Sequence, residues 1–114
     1  MVQSVMIPVP EMGSKGIYLK LKEREAFDFA IVSVAAIATF KGDVVSGVRI
    51  ALGGVAPIPL RATGAEEALR GKRVRHSIAA ACTAAVEGAR PLSSNGYKVK
   101  AAKGLMEKVL TSLA

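Results

Sequence analysis

The sequence predicts an α+β domain, a small antiparallel sheet of three to four strands packed against three C-terminal helices. Three observations predict it. Alternating and β-branched apolar stretches fill the first half of the chain, a tight turn at Lys41-Gly42-Asp43 joins two of them, and the second half carries apolar residues at three-and-four spacing. Strands first and helices last is the pattern of two segregated layers. The 114 residues are one domain's worth. A chain of this size buries roughly two thirds of its unfolded surface, enough for one core.

Residues 1–14, with Pro8, Pro10, Gly13 and Ser14, read as a linker or extended arm, and 15–114 as the domain. Residues 16–23 alternate, with Ile17, Leu19 and Leu21 facing the core and Tyr18, Lys20 and Lys22 facing away, a half-buried strand. Glu23 to Asp28 is charged and is expected to turn the chain. Phe29 to Phe40 is almost continuously apolar and rich in β-branched residues. It reads as a central strand covered on both faces, although the alanines of Ala30 to Ala38 keep a helical reading in competition. After the turn, Val44, Ser46, Val48, Ile50 and Leu52 fall on one face of a partner strand, and Val45, Gly47, Arg49 and Ala51 on the other. Gly53-Gly54 ends that strand. Pro57 and Pro59 exclude a helix and disfavour a central strand, so residues 55–61 should run extended along an edge.

Thr63 and Glu66 have the spacing of a capping box, which predicts a short helix to about Leu69, stopped by Gly71. A second helix is expected from about Ser77 to Gly88, with Ile78, Ala81, Cys82, Ala85 and Val86 as its apolar stripe. The loop from Arg90 to Gly96 could cap the third helix through Ser93, Ser94 or Asn95. That helix runs from about Tyr97 to Leu113 on a stripe of Val99, Ala102, Leu105, Met106, Val109 and Leu113.

Composition excludes several classes. Apolar residues make up 51% of the chain, too many for a disordered one. No apolar run approaches the roughly 20 residues of a membrane span. Met1 to Pro10 lacks the positive start of a signal peptide. The single cysteine, Cys82, forbids an internal disulfide and fits a reducing cytoplasm. Its place in an apolar stripe predicts a buried, inert thiol. His76 is the one histidine and has no neighbouring cysteine or histidine, so no metal site is expected. The net charge of +7 is spread along the chain, and its Arg/Lys clusters are not interleaved with aromatics, which argues for a solvated surface rather than nucleic-acid binding.

Three stretches carry more information: Tyr18 to Ala30 running into Val32-Ser33-Val34-Ala35-Ala36, Arg49 to Ala62, and Ala89 to Val99. In this order and spacing the chain resembles the C-terminal domain of the FAD-binding (medium) subunit of molybdenum hydroxylases, the family of carbon monoxide dehydrogenase and xanthine dehydrogenase flavoproteins. The resemblance covers residues 14–113. It implies the same α+β architecture and a domain without catalytic residues of its own, which packs on an FAD-binding domain and helps close the flavin site. The implied partners are that FAD-binding domain or subunit and the molybdenum and iron–sulfur subunits of the same complex, with no nucleic acid and no membrane. The glycine-rich pyrophosphate-binding stretches of such an FAD domain are not in these 114 residues. FAD is therefore expected to be held mainly by a partner domain and not tightly by this chain alone. Two positions depart from the family pattern: Ser94 where Asp is usual, and Ile58 where Thr is frequent.

Lys20 matches a basic position that lies near the flavin in the family, and on its strand it shares a face with Tyr18 and Lys22. These two, Lys20 and Tyr18, are the candidates for contact with the cofactor. Arg24 and Asp28, four apart in a turn, are candidates for a structural ion pair that fixes that corner. Gly53 and Gly54 could admit a ligand to the backbone, but no helix with Lys-Ser or Lys-Thr follows, so a strand-ending turn is expected of them. A stand-alone homodimer that reuses the fold for binding is the alternative, because a vacated interface leaves an apolar surface.

Overall fold

The computed structural model describes residues 1–9, 12–21, 32–54, 58–87 and 96–113. Among them the chain forms β1 (Ser14–Leu21), β2 (Val32–Lys41), β3 (Val44–Gly53), β4 (Leu60–Arg61), α1 (Thr63–Leu69), α2 (Val74–Ala85) and α3 (Gly96–Leu113). The strands make one antiparallel sheet in the order β1-β2-β3-β4. The expected α+β layering is what the chain adopts. Residues 1–9 are exposed and have no regular secondary structure. The turn expected at Glu23 to Asp28, with Arg24 and Asp28, lies outside the described residues, and so does most of the loop expected to cap α3.

The alternation seen in the sequence sets the register. Leu19 pairs with Val34 and Val34 with Leu52, while Ile17 pairs with Ala36 and Ala36 with Ile50. These rows lie on the face that the helices cover. Val32, Val34, Ala36 and Ala38 of β2 and Val48, Ile50 and Leu52 of β3 are buried there. α3 lies across β1 and β2, α1 packs on β3, and α2 packs against α1 and α3. α3 contributes Ala102, Leu105, Met106, Val109, Leu110 and Leu113 to the core, spaced as one helical stripe. Leu21 pairs with Val32 on the core side, yet it sits at the end of its strand and is 41% exposed.

Four expectations need correction. First, β2 is covered on one face. Val32, Val34, Ala36 and Ala38 are buried, whereas Ala35 and Ile37 between them are exposed, because all three helices stand on the same side. Second, β3 does not keep one phase. Thr39 pairs with Gly47 but Phe40 with Val45, so Ser46 is an extra residue in the strand. This bulge brings Val45 into the core and leaves Ser46 exposed, its Oγ donating to the Thr39 carbonyl at 3.0 Å. Third, α2 begins at Val74, three residues before Ser77, and Val74 and Ser77 are both buried.

Fourth, Thr63 and Glu66 do not form a capping box. Ala62 occupies the N-cap of α1 and no side chain caps it. The Glu66 carboxylate is buried and turned to the sheet edge. Its Oε1 accepts from the Ile50 backbone N–H at 2.8 Å and from Arg61 Nε at 2.9 Å, and its Oε2 accepts from the second Arg61 nitrogen at 2.8 Å. The Ile50 carbonyl in turn accepts from the Ala62 N–H at 2.9 Å. Burial alone would raise the Glu66 carboxyl above the ordinary glutamate value. The hydrogen bonds from Arg61 and Ile50, with the charges of Arg61 and Arg70, outweigh it and hold the group below that value.

Beyond α1 the chain returns to the other end of β3. Gly71, at φ 75°, makes a turn that suits glycine, and its N–H donates to the Val45 carbonyl at 2.8 Å. The Val45 N–H donates to the Lys72 carbonyl at 3.0 Å.

Replacing Glu66 with Ala strands the buried Ile50 N–H, an effect of about 1–3 kcal/mol, which urea unfolding at neutral pH should show. Because the folded chain holds this carboxyl below its unfolded value, its contribution is complete above the unfolded value of 4.5 and disappears as pH falls through the lower folded value. The parent protein should therefore lose stability on acidification in this window more steeply than Glu66→Gln. Parallel curves for the two proteins would contradict the assignment.

Candidate functional site

Among the described residues, no helix or strand packs on the sheet face away from α1, α2 and α3. Pairing places its residues in rows. Lys20 stands beside Ser33 and Ser33 beside Gly53; Tyr18 beside Ala35 and Ala35 beside Ala51; Gly16 beside Ile37 and Ile37 beside Arg49. Gly16, Ala35, Ala51 and Gly53 keep much of the floor low. Two large apolar groups rise from it, Tyr18 at 58% exposure and Ile37 at 37%. Lys20 and Arg49 bring positive charge to the same face.

Lys20 and Tyr18, the two candidates for cofactor contact, are thus on this face and in successive rows of it. Lys22, Arg24 and Asp28 lie outside the described residues. Gly53 closes β3 and its cross-strand neighbour is Ser33; a Cβ at Gly53 would run into the Ser33 hydroxyl. Gly54 follows at φ 76°, in the left-handed region. Ile37, Arg49 and Ala51 belong to the same surface, and sequence reasoning missed Ile37 because it placed the whole of Phe29 to Phe40 in the interior. The polar Ser33 and Thr39, two steps either side of Ala35 and Ile37, were the available signal of an outer face.

The described residues do not offer a cradle for the pyrophosphate of FAD. Such a cradle needs a glycine-rich turn from a strand into a helix N-terminus. Here α1 follows a two-residue edge strand and carries a carboxylate, Glu66, in its first turn. No group of three or more potential metal ligands occurs among the described residues. Cys82 is buried, and burial, with Glu107 nearby, pushes its thiol up and away from the reactive thiolate. No helix among the described residues is long and apolar enough to cross a membrane.

Residues 17–113 match the family described as the CO dehydrogenase flavoprotein C-terminal domain. The chain is 36% identical over 110 residues to the FAD-binding subunit PaoB of an aldehyde oxidoreductase from Escherichia coli, a match that covers 96% of this chain and 31% of that protein. It is 33% identical over 113 residues to the carbon monoxide dehydrogenase medium chain of Hydrogenophaga pseudoflava, covering 95% of this chain and 39% of that one. Among solved structures, a carbon monoxide dehydrogenase from Hydrogenophaga pseudoflava that lacks the Mo-pyranopterin moiety superposes with a TM-score of 0.82 at 34% identity, over 92% of this chain and 38% of that one. Quinoline 2-oxidoreductase from Pseudomonas putida gives 0.78 at 27% identity, over 93% and 38%. The chain spans about a third of the length of these relatives.

A one-sided sheet makes neighbouring positions respond differently to charge. Ile37→Lys should change stability to unfolding by about 1 kcal/mol or less, the span of strand preferences. Val34→Lys places a charge where no surface is exposed and should abolish cooperative unfolding. Equal damage from both in thermal melts would mean that the outer face is covered within the chain itself.

Proposed function

The chain belongs to the CO dehydrogenase flavoprotein C-terminal domain family, and we propose that it serves as the non-catalytic docking domain of a molybdenum hydroxylase FAD-binding subunit. In this reading its outer sheet face lies against an FAD-binding domain, on the same polypeptide or another, within an oxidoreductase complex that also has molybdenum and iron–sulfur subunits. The domain contributes shape and exclusion of water, and no group of its own enters the chemistry.

The observation that carries the reading is the sheet face on which none of the described elements packs. The low floor of Gly16, Ala35, Ala51 and Gly53 lets a second body approach the strands closely, and Tyr18 and Ile37 are apolar groups of the size that anchors such contacts. In this reading Lys20, one row from Tyr18, is a cation beside the flavin. Covering this face against a flavin domain removes water from the seam, which favours retention of the cofactor and restrains its side reactions. In this reading FAD itself is held mainly by the partner domain. The buried thiol of Cys82 suits a cytoplasmic setting.

Mixing the chain with a matching FAD-binding domain should give a complex in size-exclusion chromatography and slow the loss of flavin on dialysis. Ile37→Glu and Tyr18→Ala should weaken the complex by about tenfold or more while leaving far-UV circular dichroism unchanged, as expected for anchors at the centre of an interface. Self-association that Ile37→Glu abolishes, with no binding to the flavin domain, would favour the homodimer instead. Absence of any complex would overturn the docking role.

A further inference from the structure

A second feature lies on the opposite side of the sheet, at the end of the sandwich where the two layers part. A cleft of about 430 Å³ opens there between the start of β1, the β2–β3 turn, the start of α2 and the end of α3. Lys15, Arg73, Arg75 and His76 line it, with Asp43 the one carboxylate among the described lining residues, and Phe40 forms part of an apolar wall. From these residues we infer that the cleft is a binding site for a phosphorylated small molecule, its phosphoryl group held by the arginines and Lys15 and its body against Phe40.

Charge, geometry and size point the same way. Lys15, Arg73 and Arg75 against Asp43 leave a formal surplus of two positive charges. A phosphate monoester carries about −1.5 to −2 at neutral pH and neutralises that surplus, whereas a monocarboxylate leaves half of it. The volume falls within the roughly 300–1,000 Å³ of small-molecule sites. Guanidinium groups present paired N–H donors that match phosphate oxygens.

The backbone beneath these groups is fixed before any ligand arrives. Arg73 forms a bridge with Val44, and the Val45 N–H donates to Lys72 at 3.0 Å, so the segment that carries Arg73, Arg75 and His76 is tied to the β2–β3 hairpin. Lys15 is held over the Phe40 ring, its Nζ 5.7 Å from the ring centroid. Arg73 is also the N-cap of α2, where no side chain caps the helix. The field of the helix N-terminus adds to the attraction that the side chains supply.

The site is on the other face from the docking surface and does not depend on it. Free inorganic phosphate and the phosphate end of a nucleotide share the chemistry, and the test separates them. The chain is titrated with inorganic phosphate, adenosine monophosphate and adenosine, each at ionic strength matched with sodium chloride, and read by amide NMR shifts. Phosphate and the monophosphate should both move resonances at 13–15, 40–43 and 73–76, and adenosine should not. Tighter binding of the monophosphate than of inorganic phosphate supports the site, because the nucleoside then uses Phe40; equal binding would overturn the contact with Phe40 and leave an anion site alone. Arg73→Ala with Arg75→Ala should weaken binding by about tenfold or more, and Asp43→Asn should tighten it with the fold intact. Shifts no larger than with sodium chloride, shifts scattered over the surface, or adenosine acting as well as its monophosphate would overturn it.

Discussion

The fold depends on how one residue of β3, Ile50, is bound. Its carbonyl accepts from the Ala62 backbone and its N–H is satisfied by the side chain of Glu66. β4 pairs with β3 over only two residues, too few to hold an edge by themselves. The carboxylate of α1 extends that edge by standing where the next strand carbonyl would be, and Arg61 neutralises it from the solvent side. At the other end of β3, Val45 is bound through both its N–H and its carbonyl to Lys72 and Gly71, just beyond α1. The helix is therefore clamped to one strand before its first turn is complete and again after its last. Its seven residues are short for a helix to persist on its own, so these clamps, with Ala65 and Leu69 in the core, define its place.

The clamps decide on which side the helices gather. With α1 fixed along β3, α2 packs on α1, and α3 closes the layer over β1 and β2. Every described helix then stands on one face, and none of the described elements packs on the other. The bulge at Ser46 belongs to the same arrangement. It shifts Val45 into the core at the point where Lys72 and Gly71 dock, so the strand end that receives the returning chain also contributes a buried side chain there.

How much of this was legible in the sequence depended on whether a signal was local. The alternation of β1, the hairpin turn, the extent of α1 and the stripe of α3 all rest on periodicity or turn chemistry within a few residues, and the structure has them. What escaped was decided by the tertiary arrangement. Within Phe29 to Phe40 only the polar Ser33 and Thr39 mark an outer face, a signal outweighed by the apolar run around them, so Ala35 and Ile37 read as interior. Glu66 sits three residues after a threonine, which is the local signature of a cap, yet its real partners are Ile50, sixteen residues earlier, and Arg61. A spacing rule cannot distinguish a carboxylate that turns back on its own helix from one that completes a neighbouring sheet. The β3 bulge likewise lies where the α1–α2 connection docks on Val45, a long-range contact that no local spacing announces.

The placement of charge follows from the same geometry. The chain has 16 basic and 9 acidic residues, and Glu66, buried and held by Arg61, spends its charge inside the fold. The outer sheet face shows Lys20 and Arg49, and the cleft at the end of the sandwich gathers Lys15, Arg73 and Arg75, with Asp43 the acid among the described lining residues. A surplus so divided acts as two separate fields, one over the sheet face and one within a concavity. Low-dielectric walls concentrate the second and leave the first open to screening by salt. A broad partner on the sheet face therefore has to gain most of its affinity from apolar contact at Tyr18 and Ile37, while a small anion in the cleft can be held by charge.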